Sequence, residues 1–341
     1  MRAIGFEKAQ PIEQADSLID IDLPMPQALG RDLLVKVNAI SVNPVDTKIR
    51  AAVDPGDEKY KVIGWDASGE VVDAGEQVEL FSKGDRVWYA GDLTRSGCNA
   101  EYQLVDERIV GHAPTSISDA QAAALPLTTI TAWELLFDRL GFLQSLNAIK
   151  QHDQKLLIVG ASGGVGSILT QLAAKLTNAS VIGTASRPET QAWVKQCGAD
   201  YVIDHRQPLS SELNRIGIDA VTHAISLTHT DKHFDELVTC IAPQGKLALI
   251  DDPAAALDVM KLKIKSISLH WEFMYTRSMF QTHDMIEQHL LLNKVAELID
   301  AGTLVTTLKS TQGRINAENL KKAHAAIESQ KTIGKIVLEG F

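Results

Sequence analysis

The chain has 341 residues, of which 45% are hydrophobic and 22% charged, and its formal net charge is -10 at pH 7. This length is enough for two domains with a sizeable buried core. The negative charge argues against nucleic acid as the main partner and against a basic membrane-binding patch, but it does not exclude an anionic cofactor, which backbone dipoles and one local arginine can bind.

The three cysteines indicate the redox compartment. Cys98, Cys197 and Cys240 are far apart and form no CxxC pair, so they predict neither a disulfide framework nor a zinc ribbon and are typical of a reducing cytosol. The first residues, MRAIGFEKAQ, contain no apolar signal-peptide region, and no run is long and apolar enough to span a bilayer. We therefore expect a cytoplasmic protein with no membrane partner.

Residues 1–110 have the sequence pattern of short strands separated by turns. From residue 33 to residue 40 two sets of side chains alternate, which is typical of a half-buried strand. Further strands are predicted at residues 70–72, 86–89 and 100–105, between turn residues. Several short strands separated at regular intervals by turn residues predict a small antiparallel barrel. Helical signals begin near Ser118, which fits a capping box.

The glycine-rich stretch at residues 160–166 is the central motif. It follows the apolar run 156–159, which predicts a strand buried on both faces, and it precedes apolar residues at helical spacing. Backbone N–H groups at a helix N-terminus point at an anion, and glycine lets the backbone approach it closely. Aligned with G-x-G-x-x-G, the stretch has alanine in the first glycine place. The predicted pyrophosphate site consists of Ala161, Ser162, Gly163, Gly164, Val165 and Gly166.

The surroundings of this stretch favour a nucleotide site over a glycine-rich connector without a ligand. A dinucleotide site needs a strand before the glycines, a helix after them and a second strand about 20 residues further on. All three are predicted, with the second strand at residues 180–184. The connector remains the alternative.

The end of that second strand selects the cofactor. An NAD site usually has an acidic residue there for the ribose 2′-hydroxyl. Residues 184–188 contain no acid, and Ser186 and Arg187 offer a hydroxyl and a planar guanidinium suited to a 2′-phosphate. We therefore predict NADPH as the cofactor, with an exposed loop arginine as the alternative reading.

The remaining segments predict a parallel sheet and then an edge strand. Strands at residues 201–203, 220–225 and 247–250 alternate with helices, which is typical of a doubly wound sheet. In residues 266–274 apolar and polar side chains alternate, which suits a strand near a sheet edge. Because an apolar edge strand needs a cover, we expect it to pair or pack across a homodimer interface.

Several stretches carry a resemblance to a known superfamily. GWDASGEVV (64–72), GDRV (84–87), AEY (100–102) and GASGGVG (160–166) make the chain resemble the medium-chain dehydrogenase/reductase superfamily along essentially its whole length. Three further stretches, WYAGD, EFMYTR and GKIVLEGF, make it similar to the quinone oxidoreductase branch and, more narrowly, to the bacterial group labelled "zinc-type alcohol dehydrogenase-like".

The resemblance implies an α/β fold with two domains. A GroES-like β-barrel catalytic domain is expected at residues 1–125, and a Rossmann domain with a doubly wound parallel sheet that binds NADP(H) at residues 126–275. Residues 276–341 are expected to return and complete the catalytic domain.

The chain departs from the zinc enzymes of this superfamily. Those enzymes carry a cysteine ligand after the early strand and a Gly-His-Glu motif, whereas this chain reads SVNPVD at 41–46 and Gly-Trp-Asp at 64–66. The four-cysteine loop of a structural zinc is absent as well. A catalytic zinc needs about three protein ligands, which Asp46 and Asp66 alone do not supply, so we predict no metal.

Four residues are predicted for the catalytic site, the first two of them by the same resemblance. Asn43 and Asp46 lie at its mouth beside the nicotinamide, where Asn43 could hydrogen-bond the acceptor oxygen or the cofactor; turn chemistry at Asn43 is the alternative. Tyr60 could act as a proton donor or lid and Trp65 as a pocket wall, with packing as the alternative for both.

Two further residues are assigned to the cofactor by resemblance. Thr131 corresponds to the threonine near the nicotinamide amide, although it can equally be a helix-start residue. His205 lies where the quinone branch often has a tyrosine near the adenosine phosphate, and it could join Arg187 there; an exposed loop histidine is the alternative. Cys98 fits packing better than nucleophilic attack, since no nearby histidine in the sequence would activate it.

The function that follows is NADPH-dependent hydride transfer to a quinone or an α,β-unsaturated carbonyl without a metal. Without a Lewis acid the acceptor must already be electron-poor, and the cofactor supplies the chemistry. A zinc-dependent alcohol dehydrogenase and a non-catalytic NADPH-binding protein of the crystallin type are the alternatives.

Overall fold

Residues 1–146 and 153–341 are described by the computed structural model. The strands are β1 (Arg2–Phe6), β2 (Ile19–Asp22), β3 (Asp32–Val42), β4 (Lys61–Val62), β5 (Ala67–Ala74), β6 (Arg86–Tyr89), β7 (Tyr102–Asp106), β8 (Val110–His112), β9 (Lys155–Val159), β10 (Ser180–Thr184), β11 (Tyr201–Ile203), β12 (Val221–Ser226), β13 (Ile241–Leu249), β14 (Ser268–Trp271), β15 (Leu308–Thr311) and β16 (Lys335–Glu339). The α-helices are α1 (Pro44–Ala52), α2 (Asp119–Ala123), α3 (Pro126–Trp133), α4 (Gly164–Leu176), α5 (Pro188–Gln196), α6 (Leu209–Arg215), α7 (Thr230–Cys240), α8 (Thr276–Met279), α9 (Glu287–Asp300) and α10 (Ala317–Glu328). None of these helices is long and apolar enough to cross a membrane.

Residues 1–130 and 275–341 form the first of two units, and its strands are mostly antiparallel. Its larger sheet has the order β15-β16-β3-β5-β6-β8, with β7 also paired to β3, and its smaller sheet has the order β2-β1-β4. The prediction of a small domain of mainly antiparallel strands is therefore confirmed.

The long strand β3 is buried more deeply than its alternating pattern predicted. Side chains of both alternating sets are buried, since Val35, Leu34 and Ile40 are 0%, 6% and 1% exposed. Around β3, Ala39 packs in one cluster with alanines of α2 and with Val337 of β16. Lys36 of the second set is nevertheless exposed and Asn38 is half-buried, so the predicted half-buried pattern holds in the middle of the strand and fails at Leu34 and Ile40.

Residues 131–274 form the second unit, which is built around a parallel sheet. The sheet has six strands in the order β11-β10-β9-β12-β13-β14, and every neighbouring pair is parallel. Leu157 and Val159 of β9 pack with Leu213 of α6 and with Phe234 and Leu237 of α7 in the core. The predicted doubly wound parallel sheet is confirmed.

The edge strand predicted at residues 266–274 is shorter in the structure but does lie at the sheet edge. β14 pairs with β13 from Lys246 beside Ser268 to Leu249 beside Trp271. Trp271 and Phe273, on the face predicted to be apolar, are 52% and 48% exposed. The edge of this sheet therefore carries exposed aromatic side chains.

A π-helical turn follows α3 directly. α3 ends at Trp133, and residues Glu134–Arg139 form the wider turn. Arg139 Nε donates to Glu272 Oε2 over 2.7 Å. Burial and the neighbouring Glu134 carboxyl raise the pKa of Glu272 to about 9. Such turns often mark functional positions in helices.

Candidate active site

The glycine-rich turn has the geometry of an anion site. It connects β9 to α4, and Gly160 has a φ of +84°, a left-handed conformation that favours glycine. Gly163 is the N-cap of α4 and offers no side chain to the first-turn N–H groups. A Cβ at Gly163 would meet only Gly160 O at 3.7 Å, so this side of the turn is open to a ligand's approach.

Gly166 has a packing role in the same turn. A Cβ at this position would collide with the carbonyl oxygen of Gly160 and with the backbone of Ala161. The third glycine of the motif therefore lets α4 pack closely against the turn. The structure thus brings the six predicted residues 161–166 together at the start of one helix.

A chain of hydrogen bonds joins this turn to two neighbouring strand ends. Gly160 N–H donates to Thr184 Oγ1 at the end of β10 over 3.1 Å. Thr184 Oγ1 lies 3.2 Å from Nδ1 of His205, which follows β11. The carboxyl ends of adjacent parallel strands meet at one sheet edge, where ligands of such sheets bind. The structure therefore places His205 beside the predicted phosphate turn.

The loop after β10 carries Ser186 and Arg187 in front of α5. Arg187 Nε pairs with Glu189 Oε1 at 3.2 Å. The carbonyl oxygen of Ser186 accepts a hydrogen bond from Arg206 Nη2 over 3.0 Å. Sequence reasoning missed Arg206, although its place directly after His205 at a predicted strand end was a usable signal. Thr131, the remaining cofactor residue predicted from the sequence, is buried in α3.

Asn43 and Asp46 are brought together at the start of α1. Asn43 is the N-cap, Pro44 occupies the first turn, and Asn43 N–H donates to Asp46 Oδ2 over 2.7 Å. Both side chains are 1% exposed. The segment Asn-Pro-x-Asp is therefore a helix start in which the acidic residue satisfies an N-terminal N–H group.

The Asn43 amide is saturated by protein partners. Its Nδ2 donates to Asp66 Oδ2 over 3.0 Å and to the carbonyl oxygen of Trp65 over 3.3 Å, and its Oδ1 accepts from Lys335 Nζ. A hydrogen bond from this amide to a substrate oxygen would require one of these contacts to break. Asn43 thus holds other side chains in place.

Lys335 completes this arrangement, and sequence reasoning missed it. Its Nζ lies 2.9 Å from Asp66 Oδ2 and 3.2 Å from the carbonyl oxygen of Val42, and the residue is 2% exposed. The register of β16 against β3, with Ile336 opposite Val42, brings the lysine to Asn43. We call Asn43, Asp46, Asp66 and Lys335 the polar cluster.

Burial controls the protonation of the two carboxyl groups. Burial raises the pKa of Asp46 to about 7, although the Asn43 N–H and the Lys335 ammonium oppose the rise. Burial also raises the pKa of Asp66, against the Lys335 ammonium, the Leu127 N–H and the Asn43 amide. Asp46 Oδ1 is buried with no hydrogen-bond partner among the described residues. Asp46 can therefore hold or release a proton near neutral pH.

Three further residues, Trp65, Cys98 and Tyr60, differ in their position relative to the polar cluster. Trp65 is buried, its Nε1 donates to the carbonyl oxygen of Asp92 over 3.1 Å, and its ring meets Tyr275 edge-on with centroids 6.4 Å apart. Cys98 Sγ lies 3.6 Å from the carbonyl oxygen of Asp66. Tyr60 instead packs against the hydrophobic cluster of the smaller sheet, so the structure does not place it with the polar cluster.

The fold and the glycine-rich turn define an oxidoreductase with a GroES-like domain and a Rossmann-type domain, and comparisons with known proteins agree. The profile of the alcohol dehydrogenase GroES-like domain matches residues 30–115, and that of the zinc-binding dehydrogenases matches residues 197–338. A zinc-type alcohol dehydrogenase-like protein of Staphylococcus epidermidis is 38% identical over 99% of both chains.

Solved structures show the same relationship. A Rhizobium etli CFN 42 protein, provisionally named a zinc-dependent alcohol dehydrogenase, has a TM-score of 0.96 and 52% identity over 100% of this chain and 98% of its own. The Escherichia coli quinone oxidoreductase complexed with NADPH shares the fold, with a TM-score of 0.84 and 23% identity over 99% of this chain and 100% of its own. The chain therefore belongs to the medium-chain dehydrogenase/reductase superfamily and, within it, to the zinc-type alcohol dehydrogenase-like proteins.

The zinc in that group's name does not fit the residues of the polar cluster. The Lys335 ammonium and the Asn43 amide occupy Asp66 Oδ2, and burial raises the pKa of the Cys98 thiol, which favours its neutral form over the thiolate. Across the described ranges 1–146 and 153–341, no group of three or more His, Cys, Asp or Glu side chains could hold a metal ion. We derive no step through zinc.

Proposed function

We propose that the protein is an NADPH-dependent oxidoreductase that transfers hydride to a quinone or an α,β-unsaturated carbonyl without a metal ion. The observation that carries this proposal is the polar cluster, in which an ammonium, an amide and two carboxyl groups bind one another, whereas a catalytic zinc needs about three protein ligands. A site without a Lewis acid suits an acceptor that is already electron-poor.

The second unit supplies the residues for the cofactor. The N–H groups of residues 161–166 face a pyrophosphate, while Ser186, Arg187 and His205 face the 2′-phosphate, and Thr131 is assigned to the nicotinamide. Support comes from the open side of Gly163 and from the absence of any acid in residues 184–188. NADPH, when bound, supplies the hydride. The NADPH in the Escherichia coli quinone oxidoreductase is consistent with this assignment.

Asp46 is the proposed proton-holding residue. Reduction of a quinone or an enone consumes one proton in addition to the hydride. Asp46 keeps its proton near neutral pH because its carboxyl is buried, and its Oδ2 is oriented by the Asn43 N–H. Asn43 and Lys335 position the cluster, and Trp65 and Tyr275 form apolar packing beside it. Tyr60 is not needed in this scheme.

The experiment that tests the proposal uses purified protein in the presence of a zinc chelator. NADPH and NADH are titrated, a quinone or an enone is then added, and the absorbance of the reduced nicotinamide is followed. We expect preferential NADPH binding and acceptor-dependent oxidation that the chelator does not change. Loss of activity with the chelator and its return with zinc would contradict the metal-free reaction. Tight NADPH binding without turnover on any acceptor would contradict the enzymatic function.

We also propose that the protein is a cytoplasmic homodimer that pairs through β14. The strand lies at the sheet edge with Trp271 and Phe273 half exposed, and an exposed apolar edge needs a cover. Sedimentation analysis of the protein and of Trp271→Glu tests this contact. A dimer that the substitution converts to a folded monomer is expected, and a monomeric parent protein at micromolar concentration would exclude it.

A further inference from the structure

Three histidines gather at the sheet edge that carries the glycine-rich turn. His205 follows β11 and His229 follows β12, while His233 lies in the first turns of α7. The rings of His205 and His233 meet edge-on with centroids 6.2 Å apart. His229 has a φ of +51°, and its Nδ1 lies 2.8 Å from Thr228 Oγ1. All three histidines are half-buried.

The two arginines at this edge are already balanced by carboxylates. Arg206 pairs with Asp204, its Nη2 lying 2.6 Å from Asp204 Oδ2. The same Nη2 donates a hydrogen bond to the carbonyl oxygen of Ser186. Arg187 pairs with Glu189 at 3.2 Å. The two arginines therefore bring directional hydrogen-bond donors to the loop after β10, but with their carboxylates they bring no net charge.

Lys232 also lies beside His233 but is exposed, whereas His205 and His233 are half-buried side chains that can gain a positive charge. Burial lowers the pKa of His205, and Arg206 and His229 lower it further against the opposing effect of Asp204. Burial lowers the pKa of His233 as well, and His205, His229 and Lys232 add to this effect against Asp231. His205 and His233 are therefore neutral at pH 7 and able to accept a proton.

This inference rests on the proposed binding of NADPH. We infer that the His205–His233 pair takes up a proton when the 2′-phosphate binds beside Arg206, and that this uptake is part of the preference for NADPH over NADH. A phosphate group brings a charge of about -1.5 to -2 near neutral pH, which balanced arginines alone do not neutralise. An adjacent anion favours the protonated imidazolium, so the pKa of the pair rises in the complex.

The sign of the pH dependence follows from this rise. The complex holds more protons than the free protein between the lowered pKa of the free pair and the higher pKa of the bound pair. NADPH affinity therefore falls as the pH rises through that window, by up to about tenfold per pH unit for one proton. NADH has no 2′-phosphate, so its affinity has no such dependence.

Isothermal titration of the full-length protein with NADPH and with NADH tests the inference. Each titration is run from pH 6 to pH 8.5 in buffers with different ionisation enthalpies, which gives the number of protons taken up. We expect proton uptake with NADPH and none with NADH. NADPH binding without proton uptake would overturn the inference and leave the proposed cofactor standing. Absence of NADPH binding at every pH would overturn both.

Substitutions locate the proton. His205→Gln and His233→Gln keep hydrogen-bonding capacity but cannot become charged, and His283→Gln removes an exposed histidine of the first unit as the matched control. We expect either substitution at the pair to abolish proton uptake and to flatten the pH dependence of NADPH affinity, with NADH binding retained. Unchanged proton uptake in both variants, or its loss in the control, would overturn the assignment to this pair.

Discussion

The glycine-rich turn of the second unit and the polar cluster of the first unit are built in opposite ways. The turn consists of consecutive residues whose backbone we propose as the pyrophosphate site, and its contacts, such as that of Gly160 with Thr184, span 24 residues. The polar cluster consists of side chains from the start of α1, the residue before β5 and the first residue of β16, and Asn43 and Lys335 are 292 residues apart. A backbone site tolerates changes of side chain but not of shape, whereas a buried charged site depends on each partner.

The sharpest test of this difference is Lys335→Met. It leaves the Asp66 carboxyl buried without its ammonium, and removing one partner of a buried ion pair typically costs about 3–5 kcal/mol. We expect a loss of that order in the free energy of unfolding measured by urea denaturation. The exposed Lys83→Met is the control and should change little. Adding Asp66→Asn to Lys335→Met should recover part of the lost free energy of unfolding, because the unpaired buried carboxyl is removed. A double variant that loses as much stability as Lys335→Met alone, or more, would show that the lysine does not act by pairing with Asp66.

A matched pair of substitutions tests the turn. Gly166→Ala forces a Cβ into the backbone of Gly160 and Ala161, and overpacking of this kind costs about 1–3 kcal/mol. Gly163→Ala meets only one atom at 3.7 Å, so we expect a smaller loss of about 0.5–1 kcal/mol from the poorer N-cap. Both should weaken NADPH binding, measured by titration, because both lie where the pyrophosphate approaches. Equal losses of stability would contradict the different packing of the two glycines.

Asp46 makes the contribution of the polar cluster to stability depend on pH, whereas that of the turn does not. Its pKa is about 7 in the folded protein and about 3.9 in an unfolded chain, so the folded state binds the extra proton between these values. The free energy of unfolding therefore falls as the pH rises from 4 to 7, by at most about 1.4 kcal/mol per pH unit. Asp46→Asn should flatten this slope in denaturation at several pH values. The exposed Asp57→Asn should leave the slope in place.

The smallest change in stability is expected at the loop beside the turn. Arg206 is exposed and paired with Asp204, and an exposed ion pair contributes little to stability because solvent and salt screen it. Arg206→Gln should therefore leave denaturation almost unchanged while lowering the ratio of NADPH to NADH affinity. The exposed Arg215→Gln, which removes another surface ion pair, is the control. An unchanged cofactor ratio would remove Arg206 from the binding site.

The same difference between the two sites decides how much of each could be predicted from the sequence. The strand, turn and helix around Gly160 were predictable because each signal lies within a short stretch, and the parallel sheet followed from the alternation of strands and helices. The sequence signal for the start of α1 was also local, since Asn43 and Asp46 are three residues apart. The resemblance placed these two residues at the site but not their partners.

Lys335 could not be predicted because its environment is set by strand pairing. In the sequence it begins an apolar run and looks like any polar residue at a strand start. Only the antiparallel register of β16 with β3 brings it to Asp66.

The separation of Lys335 from Asp66 also has a consequence for synthesis on the ribosome. Residues 131–274 form the second unit from one continuous stretch, so that unit can fold while later residues are still being added. The first unit cannot be completed until residue 335 has left the ribosome, and until then the Asp66 carboxyl has no ammonium beside it. Nascent chains that end before β16 should therefore keep the first unit open and sensitive to protease while the second unit is already resistant.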